Sequence, residues 1–200
     1  MKVQKLTCTI GAEVSGVSLG DASRDSGLAE AIKQLLLEHK VLFFHDQHIS
    51  RAEHVGFARY FGDLEDHPVA GSDPDHPGLV QIYRSDKREN YENTYHTDGQ
   101  WRETPAMGCV LRCVEAPEVG GDTIWVNMVE AYRNLPDDIK QKIDGLKVKC
   151  SIEHGFGAVM PEAQRLELGR KNPMVEHPVV RTHPETGEKI LYVCSFATHF

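Results

Sequence analysis

The stretch Tyr95-His96-Thr97-Asp98-Gly99-Gln100-Trp101 places an imidazole and a carboxylate two residues apart. On extended backbone successive side chains alternate faces, so His96 and Asp98 point the same way and can converge on one point. A His and a carboxylate, completed by a second His and with open positions left over, form the facial site of non-haem Fe(II) oxygenases. The pair supplies two of those three ligands. The competing reading is a His–Asp hydrogen bond inside a turn.

Other metal-binding residue types are present without partner spacing. The chain has 11 histidines, so a lone His carries little weight, and His39, His45, His48, His54 and His76 read as structural or surface residues. The 5 cysteines include no C-x-x-C pair, which fits neither a disulfide framework nor a zinc ribbon. Cys109 and Cys113 share one face of an apparent strand with Met107 and Leu111 and read as core residues, because free Cys behaves as a small buried hydrophobe.

The elements that must position the pair are those of one domain spanning residues 1–200. With 200 residues, 40% hydrophobic and 26% charged, the chain can bury a sizeable core. A formal charge of −8 argues against nucleic-acid and anionic-membrane partners, which need a basic patch. No apolar run approaches a membrane span and MKVQKL lacks a signal-peptide core, so the expected location is cytoplasmic. A small-molecule substrate is the expected partner, and a homo-oligomer stays open.

Along the chain, residues 3–19 read as a strand pair. Residues 27–39 are helical, with Leu28, Ile32, Leu35 and Leu36 on one side. Val41 to Phe44 is an apolar run expected to be a buried strand. Ser50 and Glu53 form a capping box ahead of a helix that Gly62 ends. Residues 63–78 are a long Asp-, Pro- and Gly-rich loop. Strands are expected at 79–83, 106–114, 122–126 and 146–152. Helices are expected at 127–135, 137–143 and 161–171, and a hairpin at 178–193 across Pro184-Glu185-Thr186-Gly187. Many short strands with peripheral helices suggest a mostly β sandwich or barrel with flanking helices.

Six segments in order carry a family likeness: GAEVSGVSL at 11–19, VLFFHDQ at 41–47, FGDLEDHPV at 61–69, HTDGQW at 96–101, GGDTIWVN at 120–127 and HPVVRTHPETGEK at 177–189. The chain resembles the taurine dioxygenase/2,4-D dioxygenase (TauD/TfdA) family of Fe(II)- and 2-oxoglutarate-dependent oxygenases. The resemblance implies a double-stranded β-helix (jelly-roll, cupin-like) core, incomplete at the C-terminus. It implies Fe(II) as metal, with 2-oxoglutarate and O2 as co-substrates. His96 and Asp98 match the first two iron ligands, and Thr123 the threonine that bonds the distal carboxylate of 2-oxoglutarate. His67 matches a histidine that reaches the acidic group of the substrate. Phe156 and Phe196 match apolar walls of the substrate pocket. Against these stand plainer roles: a β-branched strand residue for Thr123, a loop His capping a backbone carbonyl for His67, and core packing for the two Phe. Trp101 either shields the metal or is a core aromatic, and Arg181 and His183 read as structural.

In the family, more helix and the closing core strands follow a segment like YVCSFATHF at 192–200, and they carry the second His ligand and an Arg for 2-oxoglutarate. The resemblance therefore implies a partial chain, since a jelly roll without its last strands would leave open edges. Two positions depart from the taurine enzymes. Glu92 stands where they carry an Asn, and Ala70 where they carry a Tyr. A carboxylate repels a sulfonate, so an amino group near Glu92, or a bulkier group filling the space at Ala70, fits the substrate better than taurine. A non-catalytic jelly-roll fragment and a zinc hydrolase using His96 are the alternatives.

Overall fold

A computed structural model of the chain describes residues 1–82 and 94–200, with Ala158 and Val159 described in their backbone alone. Packing divides the chain into two compact units, each discontinuous in sequence. One comprises Met1–Asp66, Ser72–Leu79 and Met107–Asn127, the other His67–Gly71, Val80–Ala106 and Met128–Phe200.

In the first unit, β1 (Lys2–Lys5) pairs antiparallel with β2 (Ala12–Ser15), and β2 pairs parallel with β3 (Leu42–Phe43). The apolar run at 41–44 thus yields a half-buried two-residue strand rather than the buried one expected. After α1 (Leu19–Ala22), the long helix α2 (Ser26–His39) begins where the Asp25 carboxylate accepts from the Gly27 and Leu28 amides, satisfying orphan donors of the first turn. It ends at Lys40, which is left-handed at φ 67° and donates its amide to the Leu36 carbonyl. Helix α3 (Arg51–Ala58) carries the expected capping box: the Glu53 amide donates to the Ser50 hydroxyl and the Ser50 amide to the Glu53 carboxylate. One 3-10 turn, Arg59–Phe61, follows before Gly62. The core between these helices is Leu19, Ala22, Ala29, Ile32, Ile49 and Phe57.

The strands expected at 79–83, 106–114 and 122–126 form no ladder among the described residues. A strand is defined by a neighbour that takes its N–H and C=O groups, and no described strand pairs with these segments. Residues 107–127 are held instead by single bonds and by local packing, with Val110 against the core of this unit and Trp125 edge-on to Phe43. His54 Nε2 lies 2.7 Å from the Val110 carbonyl, the Arg112 guanidinium donates to the Ile49 carbonyl, and Asn127 Nδ2 donates to the Thr9 carbonyl at 2.7 Å. Leu111, Val114 and Ile124 are exposed. Cys109 and Cys113 are exposed as well, which corrects the expectation that they lie in the core; that expectation required a paired strand with one covered face.

The second unit contains α4 (Met128–Arg133) and α5 (Asp137–Ile143), split at Pro136 as expected. The strand β4 (Lys147–Cys150) follows, with Val148 and Cys150 fully buried and Lys147 and Lys149 out. It is succeeded by α6 (Ile152–Gly155), a 3-10 turn over Phe156–Val159, and α7 (Glu162–Lys171). β5 (Val175–Pro178) and β8 (Ala197–His199) flank β4, both antiparallel to it, while β6 (Val180–Thr182) and β7 (Lys189–Leu191) make the expected hairpin. The core is Trp101, Val148, Cys150, Ile152, Leu168, Val179 and Phe196. Helical residues outnumber strand residues among those described, so the mostly-β expectation does not hold for them. The small sheets do not close into a barrel. No described helix is long and apolar enough to cross a membrane.

Candidate active site

The His96 segment is a turn rather than a ladder strand. The Gln100 amide donates to the Thr97 carbonyl at 3.4 Å and the Arg102 amide to the Gly99 carbonyl at 2.8 Å. Gly99 sits at φ +69°, in the left-handed region where a side chain is strained. The two side chains nevertheless converge: His96 Nε2 lies 3.2 Å from Asp98 Oδ1. His96 Nδ1 lies 3.0 Å from the Thr94 carbonyl, which can only accept. That bond puts the proton on Nδ1 and turns Nε2 toward Asp98, as in metal-ligating histidines whose other nitrogen is bonded to a backbone carbonyl. Two atoms each about 2.1 Å from one ion and at right angles to each other stand about 3 Å apart, so the spacing suits adjacent ligands. The imidazole is 31% exposed and Asp98 72%, which leaves the pair open to exchangeable ligands. Among the described residues no group of three His, Cys, Asp or Glu is gathered as a metal site.

A row of rings runs from this pair. The His96 ring meets Phe196 edge-on, with centroids 6.5 Å apart. Phe196 lies 5.5 Å from Phe156, and Phe156 lies 5.2 Å from His67. Four of the residues expected at metal and substrate, His96, Phe196, Phe156 and His67, are thereby brought together within one unit. Phe196 is buried in the core and Phe156 packs on its margin, so each combines a packing role with a place in the row. Gly155 makes room for Phe196: a Cβ there would stand 2.5 Å from Phe196 Cε1.

His67 Nδ1 accepts from the amides of Val69 at 3.2 Å and Ala70 at 3.0 Å. The ring caps backbone amides, not the carbonyl considered from the sequence, and the proton therefore sits on Nε2. Thr123 lies in the other unit, exposed, within the irregular segment 107–127. Glu92 lies outside the described residues. Trp101 is a core aromatic with the Arg102 guanidinium 4.4 Å from its ring centre. Arg181 stacks on Tyr192 and His183 Nδ1 accepts from two amides of the hairpin turn, both structural roles.

Gln100 was not singled out by sequence reasoning. Its side chain is fully buried; its Nε2 donates to the Tyr192 carbonyl at 2.9 Å, and its Oε1 accepts from Cys194 Sγ at 2.8 Å. A polar side chain inside the motif, next to an apolar anchor at Trp101, was the available signal. Burial pushes the nearby Cys150 thiol up to about 11, helped by Cys194, so Cys150 stays a neutral core thiol at physiological pH. Burial likewise raises the Tyr192 phenol.

The family profile described as "Taurine catabolism dioxygenase TauD, TfdA family" matches residues 2–200, and the chain belongs to that family. It is 36% identical to an alkylsulfatase of Acinetobacter baylyi, over 98% of this chain and 63% of that protein. It is 31% identical to an (S)-phenoxypropionate/alpha-ketoglutarate-dioxygenase of Sphingobium herbicidovorans, over 96% of this chain and 69% of that protein. The crystal structure of a taurine dioxygenase from Burkholderia xenovorans superposes with a TM-score of 0.77 at 33% identity, covering 98% of this chain and 64% of that one. The chain thus spans about two thirds of the length of the relatives it matches.

Proposed function

We propose that the full-length protein is an Fe(II)- and 2-oxoglutarate-dependent dioxygenase that hydroxylates a small, anionic organic substrate. The observation that carries the reading is the His96–Asp98 pair, 3.2 Å apart with its histidine tautomer held by Thr94. Bound there, Fe(II) supplies, with O2 and 2-oxoglutarate, the oxidising power for C–H hydroxylation, and 2-oxoglutarate leaves as succinate and CO2. His96 and Asp98 hold the metal through two positions and leave the rest to exchangeable ligands and to protein ligands outside this chain. Thr123 bonds the distal carboxylate of 2-oxoglutarate. Residues 1–200 belong to one such domain, built on a double-stranded β-helix whose closing strands lie outside the chain.

His67 donates its Nε2–H to the anionic group of the substrate, its other nitrogen being occupied by the Val69 and Ala70 amides. Phe156 and Phe196 line the path from that anchor to the metal and exclude water from it. Sulfate esters, sulfonates, aryloxy acids and amino-acid derivatives all present an anion at one end and a C–H bond a few ångströms away. Glu92 and Ala70 weigh against taurine, by repulsion of its sulfonate and by the space left open.

The test is succinate release by the full-length protein over sulfonates, alkyl sulfates, aryloxy acids and amino-acid derivatives. Release coupled to loss of at least one of them, and abolished in His96→Ala, is the expected result. Turnover of taurine as efficient as of any other compound tested would remove the argument from Glu92 and Ala70. No substrate-coupled succinate release with any class would contradict the activity.

A further inference from the structure

Asp98 is largely exposed, and the His96 ring is anchored on the Thr94 carbonyl. Two residues beyond Asp98, Gln100 is fully buried. We propose that Gln100 is a positioning residue for the His96–Asp98 pair, clamped by Tyr192 and Cys194; the proposal rests on reading that pair as metal ligands.

The chemistry of the clamp is specific. The Tyr192 carbonyl can only accept, so it selects the NH2 end of the Gln100 amide, at 2.9 Å. The carbonyl end is then turned to Cys194, whose thiol donates at 2.8 Å. Both ends are satisfied inside a side chain with 0% exposure, where an unmade bond is costly. The two bonds tie the turn to residues 92 and 94 positions further on in sequence. Because the Gln100 amide also closes on the Thr97 carbonyl, fixing Gln100 fixes the backbone on either side of Asp98.

The clamp reaches the ring row as well. Tyr192 and Cys194 lie on the stretch that runs from β7 to Phe196, and Phe196 faces the His96 ring. Gln100 therefore sets the metal pair and the neighbouring wall against each other. Trp101 anchors the same turn, but through apolar packing, which fixes depth without selecting a rotation.

Mn(II) binding to the full-length protein, measured by isothermal titration calorimetry beside thermal unfolding, tests this. Gln100→Leu keeps the volume and removes both bonds, and should weaken Mn(II) about 10- to 100-fold, the usual effect of losing a group that orients ligands. Cys194→Ala removes one bond and should cost about fivefold, the equivalent of a single neutral hydrogen bond. Cys194→Ser, whose hydroxyl also donates, should restore the parental affinity. Ile32→Val, in the core of the other unit, lowers Tm without changing Mn(II) affinity and so separates stability from positioning. If Gln100→Leu does not fold, Cys194→Ala and Cys194→Ser decide the matter. Parental Mn(II) affinity in Gln100→Leu and Cys194→Ala, with only Tm reduced, would overturn the proposal while His96-dependent binding in the parent left the metal reading standing. Absence of His96-dependent Mn(II) binding in the parent would overturn both.

Discussion

Two stretches of this chain are alike in lacking regular structure and opposite in how they are held. In residues 94–102 the reactive side chains are exposed while Gln100 and Trp101, directly behind them, are buried. In residues 107–127 most of the apolar side chains are the exposed ones, although Val110 packs against the core of its unit and Trp125 meets Phe43 edge-on, and single bonds run to His54, Ile49 and Thr9. The first is a loop fixed by what lies beneath it, the arrangement that lets a scaffold present chemistry. The second has the alternation of a strand with no described strand paired to it.

The contrast can be broken from either side. Trp101→Ala should have the largest effect, about 3–5 kcal/mol of unfolding free energy, as for other large aromatics removed from a core; urea unfolding measures it. Gly155→Ala should cost about 1–3 kcal/mol by overpacking against Phe196, and should raise KM for the organic substrate because the ring row shifts.

Away from both stretches, Ser50→Ala should cost about 0.5–2 kcal/mol by uncapping α3. The same cap makes an acid prediction. Bonding to the Ser50 amide, then to Arg24 and to the Ser50 hydroxyl, lowers Glu53 from 4.5 to about 2. A carboxylate depressed in the folded state stabilises the fold above its unfolded value and loses that contribution as it is protonated. The contribution of Glu53 is thus complete above pH 4.5 and fades as pH falls toward about 2; the loss should be smaller in Ser50→Ala, followed by circular dichroism. Smallest of all, Val114→Ala in this 200-residue chain should change stability by less than about 0.5 kcal/mol, since Val114 is 84% exposed. A large loss there would mean that the Val114 side chain is covered.

These differences explain what could be read from the sequence. Helix α2 was legible from the helical spacing of Leu28, Ile32, Leu35 and Leu36, and α3 from the Ser50–Glu53 box, because both signals act within a turn or two. The hairpin of β6 and β7 was legible because Gly187 and the His183 turn close it locally. The strands expected at 106–114 and 122–126 were not, because alternation records a tendency to pair and says nothing of whether a partner is at hand. The convergence of His96 and Asp98 was foreseen, though a turn achieves it where an extended segment was expected. Gln100 escaped notice because its partners lie 92 and 94 residues away, and its place beside Trp101 hints at burial without naming what the amide bonds.

The proposed activity requires that His96 and Asp98 hold the iron. Anaerobic titration of the full-length protein with Fe(II) and 2-oxoglutarate tests it most directly, since the chelate absorbs in the visible and a zinc site does not. A saturable visible band in the parent protein, lost in His96→Ala and in Asp98→Ala, is the expected result. A band of undiminished strength in either variant, or none in the parent, would contradict it.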